Sequence, residues 1–176
     1  MRLLVSFALA FFAVAAAAQP AGEKSEWEKG QELRDWKEGD LKLPAYPGNQ
    51  GLIELQVQGT NSFRFYIDPA SLAVGPDGVV RYTLVARSPS GFANVSYEGI
   101  RCATAEYRTF AFGNDGRWAA RDSEWRRIES KGTNSWHHEL RVNYFCPDRR
   151  PIQTAAEGVN ALRSRGHPAV SITRYK

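Results

Sequence analysis

Three short stretches of this 176-residue chain hold the residue types that chemistry needs. The first is WHHEL, residues 136–140, where His137 and His138 stand beside Glu139. Imidazoles next to a carboxylate are the raw material of a metal site or a general base. Their spacing does not suit a shared ion. Neighbours on a helix point about 100° apart, and the zinc-protease pattern needs two histidines four apart. His167 falls in a C-terminal loop. The run therefore predicts a solvated helix face, with no metal and no cofactor. The second stretch is GRWAARDSEWRR, residues 116–127, where Trp118 and Trp125 are interleaved with Arg117, Arg121 and Arg126. Guanidinium forks match carboxylates and phosphates, and indole faces stack on rings and on cations. These five residues form a candidate surface for an anionic envelope component or an envelope protein. Packing offers a second outcome, with the indoles turned inward under the arginine stems. Asp115, Asp122, Glu124 and Glu129 lie among the arginines and suggest solvated ion pairs more than an acid–base pair. No G-x-S-x-G or S-x-x-K occurs, so no catalytic residue is assigned.

The third feature is a pair of cysteines, Cys102 and Cys146, the only two in the chain. Their meaning depends on the compartment. Met1 and Arg2 form a short positive start, LLVSFALAFFAVAAAA is an apolar core, and Ala16 and Ala18 suit a cleavage site. This is the pattern of a secretory signal peptide over residues 1–18, cut after Ala18. No cysteine follows the apolar run to carry a lipid, and no later stretch reaches the length of a membrane span. In an oxidising compartment two cysteines make one pair, so a Cys102–Cys146 disulfide is expected. A reactive or metal-binding thiol would need a C-x-x-C or a nearby ligand set, and the sequence has neither. Removal of the leader takes away Arg2 alone among the charges, and the net charge of +4 becomes +3. With both signs interspersed, that is the surface of many exported proteins. Together with the leader it makes nucleic acid an unexpected partner.

The elements that must carry these residues follow from hydrophobic period. Residues 19–50 read as an extended charged arm, with a short helix around Glu26 to Arg34 and a strap pinned by Trp36 and Tyr46. Residues 51–176 read as a single domain. LIELQV alternates, with Ile53, Leu55 and Val57 on one face. FRFYI turns Phe63, Phe65 and Ile67 inward by the same rule. In VVRYTLVARS, Val80, Tyr82, Leu84 and Ala86 share a face opposed by Arg81 and Arg87. GPDG (75–78), SPSG (88–91) and GNDG (113–116) are turn signals between strands. After residue 135 the period changes. Trp136, Leu140 and Tyr144 make a helical stripe. Thr154 and Glu157 mark the cap of a second helix, which carries Ile152, Ala155, Val159 and Leu162 and stops near Gly166. The fold class is α+β, an antiparallel meander with two C-terminal helices packed on it and one disulfide.

The run DPASLAVGPDGVVRYTLVARSPSGFANVSYEGIRC, residues 68–102, resembles the cryptic neisserial protein-like (CNP-one-like) family. WKEGDLKLPAYP, AFGNDGRW, YFCPD and the IQTAAEGVNALR helix are similar to it as well, so the likeness covers most of residues 36–163. The resemblance implies an exported proteobacterial domain, periplasmic or outer-membrane-associated, with no catalytic residues to carry over. Two functions are then expected to compete. One is a non-catalytic binding or accessory module of the envelope. The other is an envelope hydrolase with an unrecognised carboxylate/histidine site, which a pocket holding His137 with an acid would favour.

Overall fold

A computed structural model describes residues 24–57, 62–130 and 135–170. The leader expected over 1–18 lies outside the described residues. The chain divides into two units, one ending at Asp35 and one starting at Trp36. In the first, α1 (Glu26–Arg34) forms despite Gly30, because its N-terminus is fully capped. Ser25 Oγ accepts from the Glu28 N–H, and the Glu28 carboxylate accepts from the Ser25 N–H at 2.7 Å. Such a reciprocal box offsets the cost of an interior glycine. No residue of α1 is buried.

The second unit is built on an antiparallel sheet of seven strands. They are β1 (Ile53–Leu55), β2 (Arg64–Val74), β3 (Val79–Arg87), β4 (Ala93–Arg101), β5 (Glu106–Asn114), β6 (Arg117–Ala120) and β7 (Arg126–Arg127). Each of β1 to β5 pairs with the next, and β7 joins β6 on the outer edge of β5. This is the expected meander. On one face Val80, Tyr82, Leu84, Leu55, Phe65 and Leu162 are buried together, and Ile53 and Val159 pack half-buried at the rim. One expectation for this region needs correction. Phe63 is exposed, since it precedes the first paired residue of β2 and projects beyond the core. Arg81 stands on the face opposed to Tyr82, as its place in the alternation requires, and it is buried there because β3 is covered on both faces from Val79 to Val85.

Two C-terminal helices pack on the face carrying Tyr82. The first, α2 (Ser135–Glu139), continues as a π-helix over Leu140–Phe145. Leu140 and Tyr144 are buried, and Trp136 stacks on Phe65 with ring centres 4.8 Å apart. The wider turn ends where the Cys146 N–H reaches the Arg141 carbonyl at 3.1 Å. Pro147 cannot donate to the carbonyl of Asn143 four residues back, and the His167 N–H takes that acceptor at 2.7 Å. The second helix, α3 (Ala155–Arg163), starts at Thr154, whose Oγ1 accepts from the Glu157 N–H. At its end Arg165, with φ of 58°, occupies the left-handed position, and the Gly166 N–H closes on the Ala161 carbonyl. The Cys102–Cys146 disulfide is formed, with Cα atoms 5.5 Å apart, and ties the end of β4 to the end of the π-helix.

The opposite face of the sheet is covered by residues 36–46, which lie across it without strand pairing. Trp36 donates its indole N–H to the Asp77 carbonyl at 2.8 Å, and the Gly39 N–H donates to Asp77 Oδ2 at 2.8 Å. Tyr46 packs on Trp118, ring centres 5.1 Å apart. The expected strap is held at these two aromatic points.

Candidate functional site

Strand geometry sorts the arginine/tryptophan stretch. Side chains alternate faces along a strand, and Trp118 pairs with Gly113 while Arg117 pairs with Asn114. Trp118 therefore lies under the strap, against Tyr46 and Tyr97, with its indole N–H donated to the Pro44 carbonyl at 2.8 Å. Trp125 joins the same layer, edge-on to Trp36 and Phe110. Both indoles are half-buried. Arg117 shares the other face with Phe112, and Arg121 holds its guanidinium 5.2 Å from the Phe112 ring. Arg126 pairs with Tyr107, whose ring is on that same face. Arg117, Arg121 and Arg126 are all exposed, as is Phe112 at 43%. The five residues thus fall on two sides of one edge: arginines outward, indoles anchoring from behind. Asp122 turns toward Arg108, at 3.6 Å, and leaves the arginine side.

The layer under the strap is rich in charge. Asp77 and Arg81 form a two-pronged ion pair, Nη1 to Oδ1 at 3.1 Å and Nη2 to Oδ2 at 2.5 Å. Burial opposes the charge of Asp77, but hydrogen bonds from Arg81 and from the Gly39 and Val79 N–H groups outweigh it and lower its pKa. Glu38 on the strap pairs with Arg108 of β5, and Arg101 stacks its guanidinium 3.8 Å from the Trp36 ring. A β-bulge between Tyr97 and Glu98 supplies the extra residue, Phe110, that turns into this layer. Gly99 lets it come close: a Cβ there would meet Phe110 and Val79 atoms at 2.8 Å.

Under the helices lies a cluster that strand period alone did not reveal. Glu98, 4% exposed, accepts from Ser96 Oγ at 2.7 Å on Oε1 and from Tyr82 OH at 3.0 Å on Oε2. His137 Nε2 stands 2.9 Å from the same Oε2. The expectation of a solvated face at WHHEL is therefore corrected. His137 is 2% exposed and His138 is half-buried. A buried imidazole needs a partner, and Glu98 on one edge with the Tyr107 ring stacked at 3.7 Å supplies a place for it. Burial works to raise the Glu98 pKa, but the charge of His137 and hydrogen bonds from His137, Ser96 and Tyr82 prevail and lower it. Burial, then Glu98, push the Tyr82 hydroxyl well above its ordinary range. The usable signal was positional. Ser96, Glu98 and Ile100 alternate inward along β4, so a polar pair occupies core positions of an otherwise apolar face.

Among the described residues no group of three or more His, Cys, Asp or Glu could hold a metal ion, and no helix is long and apolar enough to cross a membrane. The second unit is an α+β domain whose antiparallel meander carries two helices on one face and a strap on the other. Residues 31–163 match the CNP1-like family, and the chain belongs to that family. It is 28% identical over 139 residues, 69% of this chain and 68% of the relative, to cryptic neisserial protein 1 of Neisseria gonorrhoeae. No solved structure matches it.

Proposed function

We propose that this protein is an exported, non-catalytic binding or accessory module of the cell envelope, in the periplasm or at the outer membrane. Its contact with an anionic envelope component runs through Arg117, Arg121 and Arg126, with Trp118 and Trp125 holding their strands in place. The observation that carries this reading is the exposure of three arginines on one side of the edge, one of them over the exposed Phe112 ring. Guanidinium groups beside an apolar ring suit a ligand with anionic groups and apolar surface. The leader-like residues 1–18 and the disulfide both suit export.

The test is cosedimentation with phosphatidylglycerol vesicles against phosphatidylcholine vesicles. Binding should favour the anionic vesicles and weaken with salt. Arg117→Gln, Arg121→Gln and Arg126→Gln together should remove it and leave the melting temperature nearly unchanged. Equal sedimentation of the triple variant would reject the arginine edge. Export is tested separately by fractionation and mass spectrometry, with a mature N-terminus at Gln19 expected.

A hydrolase is the second reading, and the Glu98–His137 pair is the observation that favours it. A carboxylate that orients an imidazole is the base half of many hydrolytic sites. The pair is sealed beneath the helices, however, and a substrate must reach the base. If Glu98→Gln lowers stability and leaves hydrolysis of ester and peptide probes at the background rate, the pair is structural.

A further inference from the structure

A cleft of about 360 Å³ opens beside the π-helix, lined by Arg141, Val142, Cys146, Asp148, Arg149 and the 169–170 turn. It shares no residue with the arginine edge. Four observations single it out. Among the described residues no carboxylate pairs with either Arg141 or Arg149. The Arg141 Nε is shielded from solvent and has no hydrogen-bond partner. Asp148 and Arg149 are consecutive non-glycine residues in the left-handed region, φ of 51° and 62°, a conformation that persists where surroundings enforce it and that gathers at ligand clamps. The segment just before them, Leu140–Phe145, is a π-helix, a rare distortion frequent at functional sites. Burial and then the nearby charge of Arg149 lower the pKa of Arg141, so the two cations are close enough to repel one another.

We propose that this cleft binds a small phosphorylated molecule, with Arg141 and Arg149 on the phosphate and Val142, Ala169 and Val170 against a short apolar part. A phosphate carries more charge than one guanidinium neutralises, and arginine forks bind its oxygens in pairs. The exposed Asp148 carboxylate also lines the cleft and favours ligands whose charge is confined to one end. The apolar wall is fixed by the fold. The His167 N–H on the Asn143 carbonyl, and the Val170 N–H on the His167 carbonyl, set the 167–170 turn against the π-helix.

The experiment is calorimetric titration of the full mature chain with butyl phosphate, with inorganic phosphate and with butanol. Saturable binding of butyl phosphate, weaker binding of phosphate and none of butanol are expected. Arg149→Gln, an exposed position, should weaken butyl phosphate at least tenfold without moving the melting temperature, and Arg141→Gln should do the same. Arg117→Gln with Arg121→Gln should leave this binding unchanged, which separates the cleft from the edge. Vesicles of phosphatidylglycerol distinguish a lipid head group from a free phosphate. Sedimentation that depends on Arg141 and Arg149, with no butyl phosphate binding, would overturn the small-molecule form. No saturation by about 10 mM, or full binding by Arg149→Gln, would overturn the site itself.

Discussion

Glu98 is a charge held away from water, and three donors compensate it: Ser96, Tyr82 and His137. Removing one member of a buried pair leaves the other uncompensated, so Glu98→Gln should cost about 3 kcal/mol, read from denaturant midpoints. The pH dependence follows from the direction of its shift. The folded pKa is lowered, so the folded state binds the proton less readily than the unfolded chain does. The stabilisation is complete above the unfolded value, about 4.3, and is lost as pH falls through the lower folded value. Acid unfolding of Glu98→Gln should accordingly be flatter below about pH 4; an unchanged acid limb would mean the pair is not coupled to folding. Gly99 offers a second residue-scale prediction. Gly99→Ala meets a ring edge and a valine methyl at 2.8 Å, and should cost about 1–3 kcal/mol as overpacking does, measured as a fall in melting temperature. Period-2 reading placed Tyr82 inward correctly, but could not say that its hydroxyl would meet Glu98, because register is a property of two strands. The burial of Arg81 on its own face could not be read for a related reason. Alternation names two faces, and nothing in β3 itself says that both are covered.

The strap and the disulfide are the elements on which the two faces depend. Residues 36–46 are held by side chains and isolated hydrogen bonds, with no ladder to share the load. Trp118 carries the C-terminal half of this docking, so Trp118→Ala should destabilise by about 3 kcal/mol, the low end for a large aromatic truncation. Equilibrium denaturation checks this, and a change under about 0.5 kcal/mol, the size of an ordinary surface substitution, would mean that the strap does not rest on that ring. The disulfide joins residues 44 apart in the sequence. Its loss in Cys102→Ser should cost about 4 kcal/mol in the chain-entropy picture, seen as a lower urea midpoint under oxidising conditions. The cysteine pair was legible because two cysteines leave one pairing. The π-helix was not. The stripe of Trp136, Leu140 and Tyr144 fits an α-helix equally well, and the widening shows only in the backbone bonds, among them the one from the Cys146 N–H to the Arg141 carbonyl.

At the scale of the whole molecule, the order of strands and helices was readable because three of the turns, 75–78, 88–91 and 113–116, carry glycine with proline, aspartate or asparagine, and each strand from β2 to β6 pairs with the one before it. A meander has few long-range choices to make. The candidate site was less legible. The alternation of arginine and tryptophan was visible, but alternation in a strand separates residue types to opposite faces, and only the pairing with β5 showed which type faced outward. The cleft beside Arg141 draws on residues from 141 to 170 joined by backbone bonds between distant loops, and no spacing rule announces such a place.

The two ends of the sheet have a further consequence. At one end β1 is three residues long. At the other, the outer edge of β5 is divided between β6, four residues, and β7, two residues. Neither border offers a long row of free backbone groups to another chain, and the second is studded with Arg117, Arg121, Arg126 and Arg127. Meanwhile β3, buried from Val79 to Val85, lies between β2 and β4. Short, charged borders resist edge-to-edge association. The chain should therefore tolerate crowding in its native state and become sticky only when β3 is uncovered.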